Sequence, residues 1–288
     1  MTVVVGVDGA GRTHRLRELA AAAPGPVRWV LPDGAGVPAN PSTDTTLVVD
    51  DPHRLDEATL RTVAAAARGG VRVLLGRRPT IGGAALADLD AAVSATTRVE
   101  ILQPLDDAAV ARIVGDAYGR PSTSDETARV RDASAGLPVF ATALAAGDDG
   151  AILLRVQRRL AAFGEATAAA ARTLALDPAL DDAALSAATG QQPDDVAAAL
   201  RQLRDEGLLA PGGERLVPAV AAAVLADLTP AERRRLHDAV ARALVATNAD
   251  PVVAAGQLRA ARARTAGAAR VYAAAAERLR LTDPAAAR

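Results

Sequence analysis

A parallel β-sheet covered by helices, followed by an all-helical remainder, is the fold class that this sequence predicts. Three observations carry it. Up to about residue 103, short runs rich in valine and leucine alternate with segments of helical spacing. Those runs lack polar alternation, as strands buried on both faces do. Beyond that point nearly every window reads as helix. Composition agrees, because half of the 288 residues are hydrophobic while aromatics make up only 2%. Alanine supplies much of the difference and favours closely packed helices. The absence of cysteine excludes disulfides and thiolate metal sites. A formal net charge of −1 argues against a whole-chain footprint for nucleic acid. Every long basic side chain is arginine. No apolar run is long enough to span a membrane and no charged-then-apolar leader opens the chain, so a soluble, cytoplasmic protein without a membrane partner is expected.

The elements follow in order. "TVVVGV" (2–7) is a buried strand. "THRLRELAAAA" (13–23) is a helix with Leu16 and Leu19 on one face, stopped by "PGP". "VRWVL" (27–31) is a second strand, and the Gly/Pro-rich stretch 32–45 is a loop. "TLVVDD" (46–51) is a third strand ending in two acids. "LDEATLRTVAAAARGG" (55–70) is a helix with Asp56 as cap and Gly69 as stop. "VRVLLGRRP" (71–79) is a fourth strand. Helices follow at 105–119, 124–136 and 139–147. In 181–218, two short helices joined by a glycine turn precede a hairpin-like "GLLAPGGERLV", the outline of a winged helix. The tail, 251–288, reads as one and a half helical hairpins, a unit expected to stack on further copies.

Two motifs carry chemistry. Gly6-Val7-Asp8-Gly9-Ala10-Gly11-Arg12-Thr13 has the spacing of a phosphate-binding loop between a strand and a helix. Its glycines let backbone amides curl round phosphates, and the helix N-terminus adds its dipole. Thr13 would offer its hydroxyl to Mg²⁺. Arg12 stands where a lysine is usual; it keeps the charge on a bulkier, planar fork. A glycine-rich turn with no ligand is the alternative. The second motif is the acidic pair closing the third strand. Asp50 would hold Mg²⁺, and Asp51 would orient or deprotonate the attacking water; two acids capping a turn are the alternative. His14, in the helix's first turn, faces a nucleotide or solvent. Of Arg77 and Arg78, which end the fourth strand, Arg77 is the candidate phosphate sensor. His53 is a partner of the acidic pair or a cap, and His237 fills a helix face. The three histidines have no metal-ligand spacing.

"LVVDDPHRLDEATL" resembles the second Walker motif of the large ATP-binding LuxR-family regulators of actinobacteria. Those regulators belong to the signal-transduction ATPases with numerous domains, a branch of the AAA+ group. "VRVLLGRRP" resembles their sensor strand and "VEILQPLDDAAVARIV" the start of their helical lid. "ASAGLPVFATAL" resembles the lid's Gly-x-Pro motif, which would lay Pro138 against adenine. "LVPAVAAAVLADLTPAERRRLHDAVARAL" resembles their winged-helix end, and "AAGQLRAA" the start of their tetratricopeptide-like array. The resemblance implies a P-loop NTPase sheet of AAA+ type (1–103), a helical lid (104–150), a winged-helix domain (151–228) and the start of a repeat array (229–288). It also implies a switch that binds ATP or ADP with Mg²⁺, answers a small-molecule or protein inducer, and self-associates. DNA would be bound only through a C-terminal domain outside these residues.

The sequence departs from that family in three ways. Arg12 replaces the lysine. Val217 stands where a histidine would reach the ADP β-phosphate. Only 36 residues separate Thr13 from Asp50, and the helix that usually precedes the first strand is missing. A slow ATPase or one with lost hydrolysis is the expectation. A non-catalytic interaction scaffold with a degenerate loop is the alternative. Direct DNA binding by "PDDVAAALRQLRDEG" ranks last, because its acids offset its arginines.

Overall fold

The computed structural model describes residues 1–38, 41–80, 82–94 and 98–282. The chain divides into two compact units, Met1–Ala108 with Leu137–Val139, and Ala109–Gly136 with Phe140–Arg288.

The first unit contains β1 (Thr2–Val5), α1 (Arg12–Ala21), β2 (Val27–Val30), β3 (Thr46–Asp50), α2 (Glu57–Arg68), β4 (Arg72–Arg77), α3 (Ala84–Ser94) and β5 (Arg98–Ile101). All five strands are parallel, in the order β2-β3-β4-β1-β5. Successive side chains leave a strand on opposite faces, and both faces are buried. Val3, Leu47, Val49, Val73 and Leu75 pack under Leu60 and Val63 of α2 and Leu86 and Leu89 of α3. Val4, Val48 and Leu74 pack under Leu16 and Ala20 of α1. This two-sided burial explains why the strands read as unbroken apolar runs. Asp56 caps α2 by accepting the Thr59 amide at 2.7 Å, and Gly69 ends it.

Two elements escape the sequence reading, α3 and β5. The strand β5 lies in the sheet domain as read (1–103), and its last three residues open "VEILQPLDDAAVARIV", the stretch that resembles the start of the lid. It is an edge strand, largely exposed, and its "RVEI" alternates in polarity. Glu100 turns to the α1 side, where its carboxylate accepts from Arg15 Nε at 2.7 Å and Nη2 at 3.1 Å. The fourth strand is also shorter than 71–79, ending at Arg77.

In the second unit the helices are α4 (Asp107–Tyr118), α5 (Ser124–Ser134), α6 (Pro138–Ala145), α7 (Asp149–Ala162), α8 (Glu165–Leu176), α9 (Asp182–Thr189), α10 (Pro193–Asp205), α11 (Pro218–Asp227), α12 (Pro230–Ala246), α13 (Pro251–Ala261) and α14 (Ala266–Thr282). α4 and α6 each begin in residues assigned to the first unit. Reciprocal capping boxes start α5 (Thr123 with Glu126) and α12 (Thr229 with Glu232). After α10 a tight hairpin is closed by a single antiparallel bridge between Leu209 and Leu216. Its arms are tied by Ala210 N–H to Arg215 C=O at 2.8 Å and Val217 N–H to Leu208 C=O at 2.9 Å. Val217 is fully buried and precedes α11. α8, α9 and α10 pack on one another, α12 packs on α9 and α13, and α13 packs on α14.

Two outcomes follow from these packing details. A Cβ at Gly76 would sit 2.6 Å from Leu16 Cδ1 and 3.0 Å from Asp50 Oδ1. Gly76→Ala should therefore cost about 1–3 kcal/mol in chemical denaturation, as overpacking does. At the start of α5, the Arg120 guanidinium and then the Thr123 amide hold the Glu126 carboxyl down to about 2 from its ordinary 4.5. A depressed carboxylate contributes stability that is complete above its unfolded value and lost as pH falls through its folded value. Wild type should lose this increment between pH 4.5 and about 2, while Glu126→Gln should show no such loss in thermal melts across that window.

Candidate functional site

The first loop connects β1 to α1 across the C-terminal end of the sheet. Gly9 (φ 81°) and Gly11 (φ 93°) take left-handed conformations, which only glycine adopts without cost. Gly11 starts α1 with no side-chain cap. Gly11 thus offers the first-turn amides no side-chain acceptor of its own, and they sit at the positive end of the helix dipole. Two neighbouring strand ends are fixed by β4: Gly6 N–H donates to Arg77 C=O at 3.1 Å, and Asp51 N–H donates to Gly76 C=O at 3.1 Å. The glycine loop after β1 and the acids after β3 thus hang from consecutive carbonyls of the strand between them.

The side chains close the arrangement. Thr13 Oγ1 donates to Asp50 Oδ2 at 2.5 Å. The other Asp50 oxygen, Oδ1, is buried and has no hydrogen-bond partner. Arg12 is 5% exposed. Its Nη1 donates to Gly6 C=O at 2.7 Å, and its Nη2 donates to Asp51 Oδ1. Nε of Arg12 is buried without a partner. Asp51 adopts a left-handed conformation, φ 52° and ψ 57°, which aspartate tolerates better than most residues. His53 Nδ1 lies 3.9 Å from Asp51 Oδ1, so this histidine neighbours the second acid of the pair. From the start of α6, Pro138 approaches the loop, its Cγ 3.8 Å from where a Cβ on Gly11 would lie, and Val139 N–H donates to Gly9 C=O at 3.3 Å.

The structure therefore brings together Gly6, Gly9, Ala10, Gly11, Arg12, Thr13, Asp50, Asp51 and Pro138. Asp8 lies in the same loop. Arg77 does not join them. Gly76 faces α1, so Arg77, one residue on, faces the opposite side of the sheet. There its Nε donates to Asp90 Oδ1 of α3 at 2.5 Å, and its Nη1 donates to the Arg78 carbonyl at 3.0 Å. The parity of the strand, which depends on register, turns the expected phosphate sensor into a tie between β4 and α3. His14 is largely exposed, with Nε2 3.3 Å from the Glu18 carboxylate one turn on. His237 Nδ1 meets Gln257 Oε1 at 2.6 Å in the second unit, far along the chain from the loop. Sequence reasoning passed over Gly76, whose missing side chain makes room for both Leu16 and Asp50. A glycine inside an apolar strand is the signal for such a close approach.

The donor set fits a Mg²⁺ ion held with phosphates. Such an ion keeps waters and takes few protein ligands, and here a hydroxyl and a carboxylate are already in contact. The orphaned Oδ1 of Asp50 is a buried acceptor that a cation's water would satisfy. Among the described residues no group of three or more histidines, cysteines or acids is placed to cage a metal without such help. Arg12 fits less simply, because its fork is already engaged by the loop's own carbonyl and by Asp51.

No protein-family model and no curated protein matches this sequence. Among solved structures, the chain is similar to the Thermotoga maritima RuvB Holliday junction branch migration motor. That likeness is at 16% identity over 73% of this chain and 80% of that one, with a TM-score of 0.44. It is also similar to a signal-transduction ATPase with numerous domains that carries a tetratricopeptide repeat sensor, from Pyrococcus horikoshii. Here the identity is 12% over 98% of this chain and 49% of that one, with a TM-score of 0.38. Likeness at this level assigns no role to any residue of this chain.

Proposed function

We propose that this chain binds ATP or ADP with Mg²⁺ at the Gly6–Thr13 loop and acts as a regulatory switch with little or no hydrolysis. The observation that carries this reading is the contact between Thr13 and Asp50 at the mouth of a left-handed glycine loop, with Asp50 Oδ1 buried and unsatisfied. A nucleotide would bring phosphates that such a loop cradles and a cation that this hydroxyl and carboxylate hold. Asp50 and Thr13 position the cation. The backbone of Gly9–Thr13 binds the phosphates, and Pro138 borders the loop. Asp51 is the acid nearest to a water-activating role, but its Oδ1 already accepts from the Arg12 guanidinium and so is not free to orient a water.

The finer reading follows the order of segments. We read the sheet as an AAA+-like P-loop NTPase domain and the helices of 104–150 as its lid. The three helices from Glu165 with the Leu209–Leu216 hairpin support a winged helix in 151–228. The packed helices of 229–288 support the start of a tetratricopeptide-like array. That order resembles LuxR-family ATP-binding regulators and supports a role in transcriptional control. An inducer and self-association then belong to its working cycle, and DNA contact to a domain outside these residues. Among the described residues, no helix is long and apolar enough to cross a membrane.

A second reading has its own support. The Arg12 guanidinium fills the loop with an internal charge pair, as expected of a scaffold that keeps the fold and has no ligand.

Calorimetry with Mg-ATP and Mg-ADP separates the two. Saturable binding is expected, and Gly11→Asp, which strains the left-handed backbone at φ 93° and adds negative charge beside the phosphates, should weaken it at least about tenfold. Asp50→Ala should remove the Mg²⁺ dependence of that binding. Absence of heat with either nucleotide overturns the switch reading and leaves the scaffold. In phosphate-release assays, Asp51→Asn, whose amide oxygen can still accept from Arg12, should leave the low basal rate unchanged, whereas a normal catalytic base would lose about a hundredfold or more.

A further inference from the structure

One groove in the second unit has no part in the nucleotide site. Its volume is about 490 Å³, within the range of small-molecule sites. Ile152 of α7 and Ala219 and Ala223 of α11 form its buried floor, and Leu144 and Leu153 form half-buried walls. Ala222 and Ala226, exposed on α11 and one turn apart, leave its side open. The lining is apolar with one exception, for Asp149 supplies its only charged side chain. Asp149 is also not needed as a helix cap. The preceding residue, Asp148, fills that role by accepting the Ala151 amide at 2.9 Å. Asp149 is exposed, and among the described residues its carboxylate has no hydrogen-bond or ion-pair partner.

We propose that this groove binds a small apolar amine, its hydrocarbon body lying between α7 and α11 and its ammonium against Asp149. The apolar walls reject a polar body, which would lose its water without gaining hydrogen bonds. The single carboxylate selects the head group: it attracts an ammonium, repels a carboxylate and is indifferent to an alcohol. Because Asp149 is exposed, it contributes discrimination, while the apolar floor and walls contribute most of the affinity. The site stands whether or not the Gly6–Thr13 loop binds nucleotide. Its occupant touches α5 through Ala133 and α6 through Leu144, as well as α7 and α11.

The test is calorimetry of the full chain, without nucleotide, using three matched probes: phenylbutylamine, phenylbutanol and phenylbutyrate. The amine should bind tightest and the acid weakest, about threefold to tenfold apart at low salt. Asp149→Asn should collapse that spread while leaving phenylbutanol affinity unchanged. Ala222→Leu or Ala226→Leu, each filling the groove from an exposed position, should weaken all three probes about tenfold at unchanged melting temperature. The proposal is overturned if none of the probes binds, if amine and acid bind alike, or if both folded leucine variants bind as wild type does.

Discussion

The clamp between the first loop and the end of β3 is the constraint on which the site depends. Thr13 and Arg12, adjacent in sequence, engage Asp50 and Asp51, also adjacent. The clamp therefore ties two chain segments through neighbouring pairs. The Arg12–Asp51 half is almost wholly removed from water on the arginine side. A buried guanidinium left without its carboxylate is far costlier than the intact pair is stabilising, so the geometry is held by the penalty of breaking it. β4 supports the same arrangement from its backbone, since its last two carbonyls receive one amide from each side. Gly76 makes this possible, because any side chain there would compete with Leu16 and Asp50 for one space.

Arginine in place of lysine changes what this clamp does. A lysine ammonium is a compact charge on a flexible stem, free to follow a phosphate. The guanidinium is a fixed fork that satisfies two acceptors at once, and here both belong to the protein. The charge that would attract phosphate is thus partly spent on Asp51 before any ligand arrives. Binding to such a loop rests more on backbone amides and a bridging cation than on a cationic side chain.

Much of this was legible in the residues. β1 and β3 appear as β-branched runs ended by glycine or acid, and the loop spacing with the two acids pointed to one another across 36 residues. The Asp56 cap was equally plain. What was not legible depends on pairing. Arg77 and Gly76 are neighbours, yet only the register of β4 against β3, with Gly76 opposite Asp50, decides which of them faces α1. β5 hid because an edge strand does not need an apolar run; its Glu100 is satisfied by Arg15 from a helix far back in the sequence. In the second unit, capping boxes mark where helices start, but nothing local to α5, α6, α7 and α11 announces that their small residues leave a groove.

The sheet order also governs when the loop can come into being. β1 lies between β4 and β5, whose residues follow it by about seventy and about ninety-six positions in the registers observed. During synthesis β1 must wait as an unpaired strand until β4 has emerged, and contacts so distant in sequence form slowly because loop closure precedes their reward. β2, β3 and β4 are nearest neighbours in both chain and sheet and need no such delay. The glycine turn is consequently brought to the acids late, and a nascent chain stalled before β4 would carry its glycines and its acids without joining them.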